Sequence, residues 1–414
     1  MSRTADRPVQ PGEGGAPTLR VCVVGSGSRF LSGISKYTTR LANVLVEHHQ
    51  VTVLTMRELL PRFLYPGRDR VGKDLSDLRL DPRVERFDGV DWYWIPSLFR
   101  GCWFIARHRP QVLLFQWWTG SVLHTYVALT LFARLLRIRV VVEFHEVLDN
   151  TGEMGNVAVR AYVGALAPIV LRLASGFAVH STYDEALVRK RYRVGRRRPV
   201  AVVPLGVFDH YQTAGDAGQP GLRDAPPDVC NLLFFGVIRP YKGLDDLIRA
   251  FDAIPEEDIH RYWLTVVGET WEGWDLPATL MSKSRYRDRI TFVNRYVHDT
   301  ELDAYLRGAD AVILPYRRSS ISGPLHVAMA YGLPIVITDI GGNSEVAREY
   351  GAALLVQPGD ADALRDALLS LSRSAARHAH PRPWDLTADR YNALFAELGL
   401  TDRPVLAEPR QTSP

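Results

Sequence analysis

The chain has 414 residues, of which 46% are hydrophobic and 23% charged, the balance of an ordinary folded globular protein. At roughly 100–200 residues per domain, this length predicts two or three domains with cores large enough to fold. The formal net charge of +4 at pH 7 is too small to indicate nucleic-acid binding, so we expect no nucleic acid among the partners.

The cysteines and the first residues bear on the compartment and on metal binding. Cys22, Cys102 and Cys230 form no disulfide framework and have no metal-ligand spacing, so we expect a cytoplasmic protein without a metal or cofactor. Residues 1–18 are rich in proline, glycine and charge, which predicts a disordered tail and not a signal peptide. The longest apolar stretch, residues 121–133, is too short to span ~30 Å of hydrocarbon, so we expect a soluble or peripheral protein.

Twelve apolar runs are typical of β-strands, and helical patterns alternate with them. Several runs lack polar alternation, as expected for strands buried on both faces of a parallel sheet. The alternation of strands and helices predicts an α/β protein with two doubly wound halves. The runs cover residues 20–25, 51–55, 112–116, 140–144, 177–180, 200–204, 231–235, 262–267, 290–293, 311–315, 334–338 and 353–356.

A segment rich in glycine, proline and aspartate divides the chain into halves of similar size. We take residues 211–229 as a linker between an N-terminal domain, 19–210, and a C-terminal domain, 230–380. Residues 381–398 have apolar side chains at helical spacing and predict a final amphipathic helix. Residues 399–414 are expected to form a second disordered tail.

A glycine-rich loop follows the first predicted strand. Gly25, Gly27 and Gly33 precede a helical stretch that begins at Lys36. Unpaired N–H groups and the helix dipole make such a helix start suitable for anions. The spacing departs from the dinucleotide-binding fingerprint, and no acidic residue closes the next strand. Two interpretations therefore stay open, a phosphate-facing loop and a tight turn without a ligand.

Polar side chains gather where the strand at residues 140–144 ends. Glu143, His145, Glu146 and Asp149 would be costly to bury unless they are paired or line a cleft. Ligands of open parallel sheets bind beyond the carboxyl ends of the strands. His145 could bind a sugar hydroxyl or transfer a proton, although a structural role is the alternative. His180 ends another predicted strand and is a weaker candidate of the same kind.

The C-terminal half opens with a strand that leads into a turn carrying two cations. Gly236 is followed by Arg239, Lys242 and Gly243, and a helical pattern begins at Leu244. An arginine suits bidentate contact with a phosphate, and a lysine supplies a point charge. Together they could neutralise a diphosphate and stabilise charge on a leaving phosphate. A solvated basic turn is the alternative.

On these residues the chain resembles the family-4 retaining glycosyltransferases of GT-B fold, from about residue 19 to residue 398. The most specific part runs from Phe235 through Arg239 to Gly243, and the next from Pro315 to Glu345. The resemblance implies two Rossmann-like domains that face a central cleft. It implies that the N-terminal half binds the acceptor and that the C-terminal half binds a nucleotide sugar.

The resemblance also assigns roles to individual residues. It implies that Arg239 and Lys242 hold the donor diphosphate and act in catalysis, with Gly236 in the same donor-binding turn. It suggests that Gly33 approaches the donor phosphate from across the cleft. It points to His145 as the catalytic histidine near the reacting sugar.

The chain departs from the family pattern at one motif. Many members carry two glutamates eight positions apart that contact the donor, and here those positions hold Ser319 and Val327. The local sequence matches a branch of the family with a Ser-x-Ser-Gly loop. This departure puts the usual contacts with ribose and sugar hydroxyls in doubt.

The serine-rich loop can still serve the donor. We expect Ser322 or Gly323 to cap a helix with Pro324 in its first turn, whose free N–H groups face the diphosphate. Ser319 and Glu345 complete the expected donor-binding set.

The resemblance implies a retaining hexosyltransferase that uses a nucleotide sugar as co-substrate, and we expect it to be independent of metal. The expected acceptor is a saccharide, a glycolipid or another lipid-linked acceptor, or a natural product, and surface polysaccharide synthesis is one context. Two alternatives stay open: a non-catalytic nucleotide-sugar-binding protein on a degenerate GT-B fold, and a nucleotide-sugar epimerase. The absence of the paired glutamates motivates the first of these.

The sequence gives weaker indications of which residues bind the acceptor. Glu146, Trp117 and Trp118 are acceptor-binding candidates, although the tryptophans could equally belong to the core. Residues 57–70 and 189–198 are basic segments that could contact an anionic membrane at the inner face of the cell membrane. A solvated basic surface is the alternative for both segments.

Overall fold

The structure is a computed structural model. It describes residues 19–27, 33–58, 76–91, 95–147, 157–213, 222–271, 274–318, 322–373 and 376–401.

The N-terminal half is built on a seven-stranded parallel sheet of order β3-β2-β1-β4-β5-β6-β7. Its central strands are runs of valine, leucine and phenylalanine that are buried on both faces. The strands are β1 (Arg20–Ser26), β2 (Gln50–Glu58), β3 (Glu85–Asp91), β4 (Val112–Trp117), β5 (Arg139–Phe144), β6 (Gly176–Val179) and β7 (Val200–Val202).

Helices cover both faces of this sheet. Successive side chains of β1 point to opposite faces, so Val23 packs in one core cluster and Val24 in the other. α1 (Gly33–Leu45) covers the first face, and four helices cover the second because the later connections run across the sheet in the opposite direction. Those four are α2 (Ile95–His108), α3 (Leu123–Leu135), α4 (Val157–Leu173) and α5 (Thr182–Tyr192).

The C-terminal half repeats this architecture with six parallel strands of order β10-β9-β8-β11-β12-β13. The strands are β8 (Cys230–Phe235), β9 (Tyr262–Val267), β10 (Ile290–Val293), β11 (Ala311–Leu314), β12 (Ile335–Thr338) and β13 (Ala353–Val356). The helices are α6 (Leu244–Asp252), α7 (Leu276–Lys283), α8 (Asp299–Gly308), α9 (Gly323–Ala330), α10 (Gly341–Tyr350) and α11 (Ala361–Leu369).

A last helix, α12 (Trp384–Glu397), returns to the N-terminal half and packs on α1 and β7. Trp384 donates its indole N–H to the Val207 carbonyl at 2.7 Å. A Cβ at Gly206 would lie 2.5 Å from the Trp384 ring, so only glycine permits this close packing.

The sheets confirm the α/β fold class with two Rossmann-like halves, and each of the twelve predicted runs falls on a strand. The strand β3 was not predicted from the sequence. Its residues alternate charged and apolar, because this strand lies at the edge of the sheet and is exposed over much of its length. Within the described ranges, no helix is both long enough and apolar enough to cross a bilayer.

A buried ion pair joins the two halves. The Lys36 ammonium on α1 lies 2.5 Å from the Asp299 carboxylate on α8, and the two side chains are 6% and 2% exposed. Lys36 also donates to the Tyr211 hydroxyl at 2.7 Å, and Ser76 donates to the second Asp299 oxygen at 2.5 Å. These bonds satisfy the charges and fix α1 against α8.

We predict that Asp299→Ala lowers the free energy of unfolding by about 3–5 kcal/mol, because the Lys36 ammonium is left buried without its carboxylate. Urea unfolding followed by circular dichroism measures the change. The control is Glu47→Ala, which removes a partner of Arg83 in a pair with side chains 57% and 54% exposed, and should cost less than about 1 kcal/mol. Equal losses in the two variants would contradict a stabilising role for the buried pair.

Candidate functional site

The candidate site lies where strand ends of the two halves face each other. Glu146 follows β5 in the N-terminal half, and its charge acts on Tyr241, which follows β8 in the C-terminal half. In open α/β sheets the ligand-binding crevice lies outside the carboxyl ends of the strands. The structure therefore brings the predicted acceptor-binding Glu146 close to the turn that carries Arg239 and Lys242.

That turn has a backbone that only glycines allow. Gly236 has a φ of 100°, and Gly243 ends the 3-10 helix Pro240–Lys242 with a φ of 68°. A Cβ at Gly243 would lie 2.0 Å from the Pro315 carbonyl oxygen. A Cβ at Gly236 would lie 3.2 Å from the Lys242 nitrogen and 3.6 Å from Pro324. Three of the predicted donor-binding or catalytic residues, Gly236, Lys242 and Pro324, are thus neighbours.

Lys242 is a buried cation, 9% exposed, and its nitrogen lies 5.7 Å from the centre of the Tyr316 ring. Arg239 stacks its guanidinium 4.0 Å from the centre of the Trp271 ring. Among the described residues, neither cation has a carboxylate within ion-pair distance. Burial, and then the Arg239 charge, lower the pKa of Lys242 to about 7. A buried ammonium in this state is stabilised by an anion from outside the protein.

The start of α9 adds a second group that favours anions. Ser322 caps the helix by accepting from the Leu325 N–H at 3.3 Å, and Pro324 lies in the first turn, as predicted. Helix N-termini direct free N–H groups and a positive dipole toward anions. Ser319, the other serine predicted to bind the donor, lies outside the described residues.

Glu345 on α10 contacts the N-terminal half. Its carboxylate accepts from the Thr182 N–H at 2.9 Å, the Thr182 hydroxyl at 2.7 Å and the Tyr183 N–H at 2.7 Å. Partial burial by itself raises the pKa of Glu345, but these hydrogen bonds leave it below its ordinary value. The carboxylate therefore stabilises the first turn of α5 across the domain boundary, and its expected contact with the donor stays a prediction.

A hydrogen-bonded network surrounds Glu143 at the end of β5. The carboxylate is fully buried and contacts the Tyr37 hydroxyl and the side-chain amide of Gln116. Gln116 also contacts Nε2 of His145, whose Nδ1 lies 3.1 Å from Nε2 of His180. The network ends where Nδ1 of His180 lies 3.0 Å from the Val203 carbonyl oxygen.

The position of one proton decides whether this network contains charged groups. A carbonyl only accepts, so His180 donates from Nδ1, and its neutral Nε2 accepts from Nδ1 of His145. The unprotonated Nε2 of His145 then accepts a hydrogen bond, and its donor is the side-chain NH2 group of Gln116. In this orientation the Gln116 amide oxygen faces Glu143, which is protonated and donates to it. In the other arrangement Glu143 is ionised and the histidine pair carries a positive charge.

The pKa shifts favour the uncharged arrangement. Burial raises the pKa of Glu143 to about 7, although hydrogen bonds from Tyr37 and Gln116 partly offset it. Burial lowers the pKa of His180 to about 4, and burial with the nearby His180 lowers that of His145 well below its ordinary value. All three groups thus tend toward their neutral forms.

His145 is held by this network on both ring nitrogens and is 6% exposed. It can bind a sugar hydroxyl or transfer a proton only if it releases Gln116 or His180, so its catalytic role stays a prediction. Glu143, His145 and His180 also bring one potential metal-ligand atom each within 4.8 Å of one another. Because these atoms already bond within the network, the cluster is satisfied without a metal.

The structure corrects one acceptor-binding candidate. Trp117 is 1% exposed and packs on Tyr126 and Phe144 in the core, so it offers no surface to an acceptor. Trp118 is half-buried and remains a candidate. Gly33 begins α1, and among the described residues outside its own helical turn and its chain neighbours no atom lies within 4 Å of a Cβ built there; its approach to a donor phosphate stays a prediction.

Several residues of this region were not predicted from the sequence. Gln116 bridges Glu143 and His145, and Trp271 supports Arg239. His326 on α9 is fully buried and donates to the Ser322 carbonyl at 2.9 Å. Gln116, His145 and His180 each stand at or just beyond the end of a strand, and these strands, β4, β5 and β6, are neighbours in the sheet. This arrangement could have suggested a role for Gln116 and the pairing of His145 with His180.

Two family models match the chain. The model described as "Glycosyl transferase 4-like domain" matches residues 32–206, and the model described as "Glycosyl transferases group 1" matches residues 230–374. Together they include most strands of both sheets and the turn with Arg239 and Lys242. The chain belongs to the GT-B glycosyltransferases.

Relatives and a solved structure agree with this family. The D-inositol 3-phosphate glycosyltransferase of Actinosynnema mirum is 32% identical over 219 residues, 48% of this chain and 52% of the relative. The GDP-mannose:glycolipid 4-beta-D-mannosyltransferase of Xanthomonas campestris pv. campestris is 30% identical over 153 residues, 36% of this chain and 42% of the relative. The chain thus spans about half the length of these curated relatives.

The solved structure of Anabaena HepE in complex with UDP shares the fold, with a TM-score of 0.58 and 13% sequence identity. The similarity covers 92% of this chain and 96% of HepE. HepE and this chain therefore share the GT-B architecture along almost their whole lengths.

We predict that Glu143→Gln changes how stability depends on pH. The raised pKa of Glu143 stabilises the folded wild type fully below about pH 4.5, and this contribution is lost as the pH rises through about 7. Glutamine mimics the protonated acid and lacks this titration. As the pH rises across this range, the free energy of unfolding of the wild type should therefore fall by on the order of 3 kcal/mol relative to that of the variant.

Urea unfolding of both proteins from about pH 4.5 to 8 measures the difference. Glu397→Gln, at the exposed end of α12, is the control and should show a constant difference from wild type. A constant difference for Glu143→Gln, or one of opposite slope, would refute the raised pKa.

Proposed function

We propose that the chain is a retaining glycosyltransferase that moves a sugar from a nucleotide sugar to a saccharide, a lipid-linked saccharide or a natural product. One observation carries the proposal: Lys242 and Arg239 lie in the cleft without a carboxylate partner among the described residues. The UDP bound by HepE and the GDP-mannose named for the Xanthomonas relative support a nucleotide-sugar donor.

The donor diphosphate would lie between the two cations and the start of α9. Arg239 suits bidentate contact, and Lys242 supplies a point charge. Gly236 lets the ligand approach the backbone closely, since it has no side chain beside Lys242 and Pro324. Cations held here stabilise the negative charge that develops on the departing diphosphate, which lowers the barrier to bond cleavage.

The stereochemical course follows from the groups at hand. The anomeric carbon–oxygen bond to the diphosphate breaks, and the acceptor hydroxyl oxygen bonds to the same carbon from the face that the diphosphate leaves. The hydroxyl proton passes to the departing phosphate oxygen, so configuration is retained and no protein nucleophile is needed. Because Arg239 and Lys242 supply positive charge, we propose that the reaction requires no added metal.

The acceptor would bind on the N-terminal side of the cleft. Glu146 and Trp118 follow β5 and β4 there, and the uncharged network around Glu143 holds His145 in a fixed orientation. We propose that the protein works in the cytoplasm, at the inner face of the cell membrane when the acceptor is lipid-linked.

The test begins with a thermal-shift screen of UDP-, GDP-, ADP- and TDP-sugars, in which the donor class should raise the unfolding temperature. Transfer is then assayed with that donor in the presence of a chelator. Lys242→Ala should reduce kcat/KM at least tenfold, or ~1.4 kcal/mol, because the leaving group loses a cation. Lys283→Ala, an exposed lysine at the end of α7, should retain full activity.

Retention of more than about a tenth of the activity in Lys242→Ala would refute its assignment. A protein that binds a donor but never transfers or hydrolyses it would be a nucleotide-sugar-binding protein, and an isomerised donor without acceptor would identify an epimerase. Nuclear magnetic resonance of the product tests retention.

Donor binding should also weaken as the pH rises above about 7, because the diphosphate binds the protonated form of Lys242. Well above that pH, the dissociation constant of the donor should increase about tenfold for each pH unit, because binding then requires the uptake of one proton. Calorimetry with the identified donor between pH 7 and 9 measures it. Lys242→Arg stays protonated throughout and should show a flat profile; equally steep profiles in both proteins would refute the titration of Lys242.

A further inference from the structure

Three neighbouring helices of the N-terminal half, α2, α3 and α4, have an unusual outer surface. They lie on the face of the first sheet opposite α1, and α3 contacts both others. Every exposed residue of these helices is apolar, glycine or arginine. These residues are Ile95, Pro96, Phe99, Arg100, Trp103, Arg107, Leu131, Arg134, Leu135, Val157, Ala158, Arg160, Ala161, Gly164, Ala165 and Arg172. We call them the three-helix surface.

The charge of this surface has one sign. The sequence contains no acidic residue between Asp91 and Glu143, and α4 contains none. By contrast, the exposed residues of α12 are Asp385, Asp389, Arg390 and Glu397. The surface of α12 is that of an ordinary solvated helix, so the composition of the three-helix surface is not general to this chain.

α2 carries the most exposed apolar groups. Ile95, Phe99 and Trp103 stand four residues apart and form one stripe, with exposures of 68%, 71% and 63%. Arg107 lies one turn further, with its guanidinium 5.5 Å from the centre of the Trp103 ring. Contiguous exposed apolar surface of this kind marks an interaction site.

The combination of apolar and cationic groups identifies the partner. Interfacial helices insert aromatic and aliphatic side chains among lipid headgroups and place arginines beside anionic phosphates. Tryptophan and arginine both suit such a boundary, because each has an apolar body and a polar end. A second copy of this chain fits poorly, since a two-fold contact would place arginines of one copy against arginines of the other.

The position of the surface relates it to the cleft. Each of the three helices follows a parallel strand and returns antiparallel to it, so its first turn lies at the carboxyl edge of the sheet. Ile95 and Val157 therefore lie at the same edge as His145. At the opposite end of α4, Arg198 donates to the carbonyls of Leu171 and Arg172, which places the basic segment 189–198 next to the surface.

We propose that the three-helix surface docks on an anionic membrane and brings the cleft to a lipid-borne acceptor. The role of a lipid-borne acceptor rests on the proposed function, whereas docking on the membrane does not, because docking requires no catalysis. The surface differs from the basic segments that the sequence suggested: of residues 57–70, only 57–58 are described, and the Arg57 side chain there is paired with Asp91.

Vesicle flotation tests the proposal with the full chain. The wild type should float with phosphatidylcholine vesicles that contain phosphatidylglycerol, and should not float with phosphatidylcholine alone. Phe99→Ser/Trp103→Ser should reduce binding about tenfold by removing inserted apolar groups. Arg100→Gln/Arg107→Gln should reduce it about tenfold and lower its salt sensitivity.

Matched controls use exposed residues of the C-terminal half. Leu276→Ser/Leu354→Ser removes two apolar groups that are 39% and 43% exposed, and Lys283→Gln/Arg287→Gln removes two exposed cations. Both controls should bind as the wild type does. Thermal unfolding within a degree or two of wild type would show that the variants fold.

Two further measurements separate the outcomes. Phe99→Ser/Trp103→Ser should keep full transfer to a soluble acceptor, so loss of transferase activity with intact vesicle binding counts against the proposed function alone. Absence of wild-type binding to anionic vesicles, or equal binding by all variants, would overturn the docking proposal. A wild-type dimer that becomes monomeric in Phe99→Ser/Trp103→Ser by sedimentation velocity would overturn it in favour of a contact between copies.

Discussion

The Lys242 ammonium is buried in a turn and has no counterion among the residues that the structure describes. Asp245 and Asp246 lie in the first turn of α6, directly after this turn, but both are bound by Arg317 and by Arg249. Because those arginines already pair with the nearby carboxylates, Lys242 has no ion-pair partner among the described residues, and its proposed partner is an anion that arrives from solvent. The glycines at 236 and 243 make the geometry possible, because side chains there would meet Lys242 and the Pro315 carbonyl. In the proposed donor complex, a diphosphate would relieve the cost of burying this unpaired cation, and that relief would contribute to affinity for the donor.

The buried network at the end of β5, on the N-terminal side of the cleft, complements this arrangement because its ionisable groups tend toward their neutral forms. Glu143, His145 and His180 tend toward uncharged forms, and their hydrogen bonds orient one another. A buried negative charge at this position would compete with the proposed donor for the cations. Glu345 and Asp299, two carboxylates of the C-terminal half that reach the N-terminal half, are satisfied by α5 and by Lys36. The interface is therefore held by charges that do not oppose an incoming anion.

The fold and part of the site could be predicted from sequence because they depend on local patterns. Continuous apolar runs marked the buried strands, and the turn around Arg239 and Lys242 lies within eight residues. Local patterns do not predict a residue's role where that role depends on the direction of its side chain or on a partner distant in sequence. Trp117 and Trp118 are adjacent, and only strand alternation and packing send the first into the core. The partner of Glu345 lies 163 residues away and depends on how the two halves meet.

The proposed membrane contact and the cation pair belong to different halves, and this division has a consequence for substrates. If the N-terminal half lies on the bilayer through α2, α3 and α4, the membrane covers the face of its sheet that α1 and α12 do not occupy. The C-terminal half packs on the α1 side through Lys36 and Asp299, so it points toward the aqueous phase. A water-soluble nucleotide sugar would reach Lys242 and Arg239 from solvent, whereas a lipid-borne acceptor would reach the cleft along the bilayer surface. The same orientation keeps the anionic headgroups nearer to the arginines of the three-helix surface than to the donor-binding cations, which reduces competition between lipid and donor.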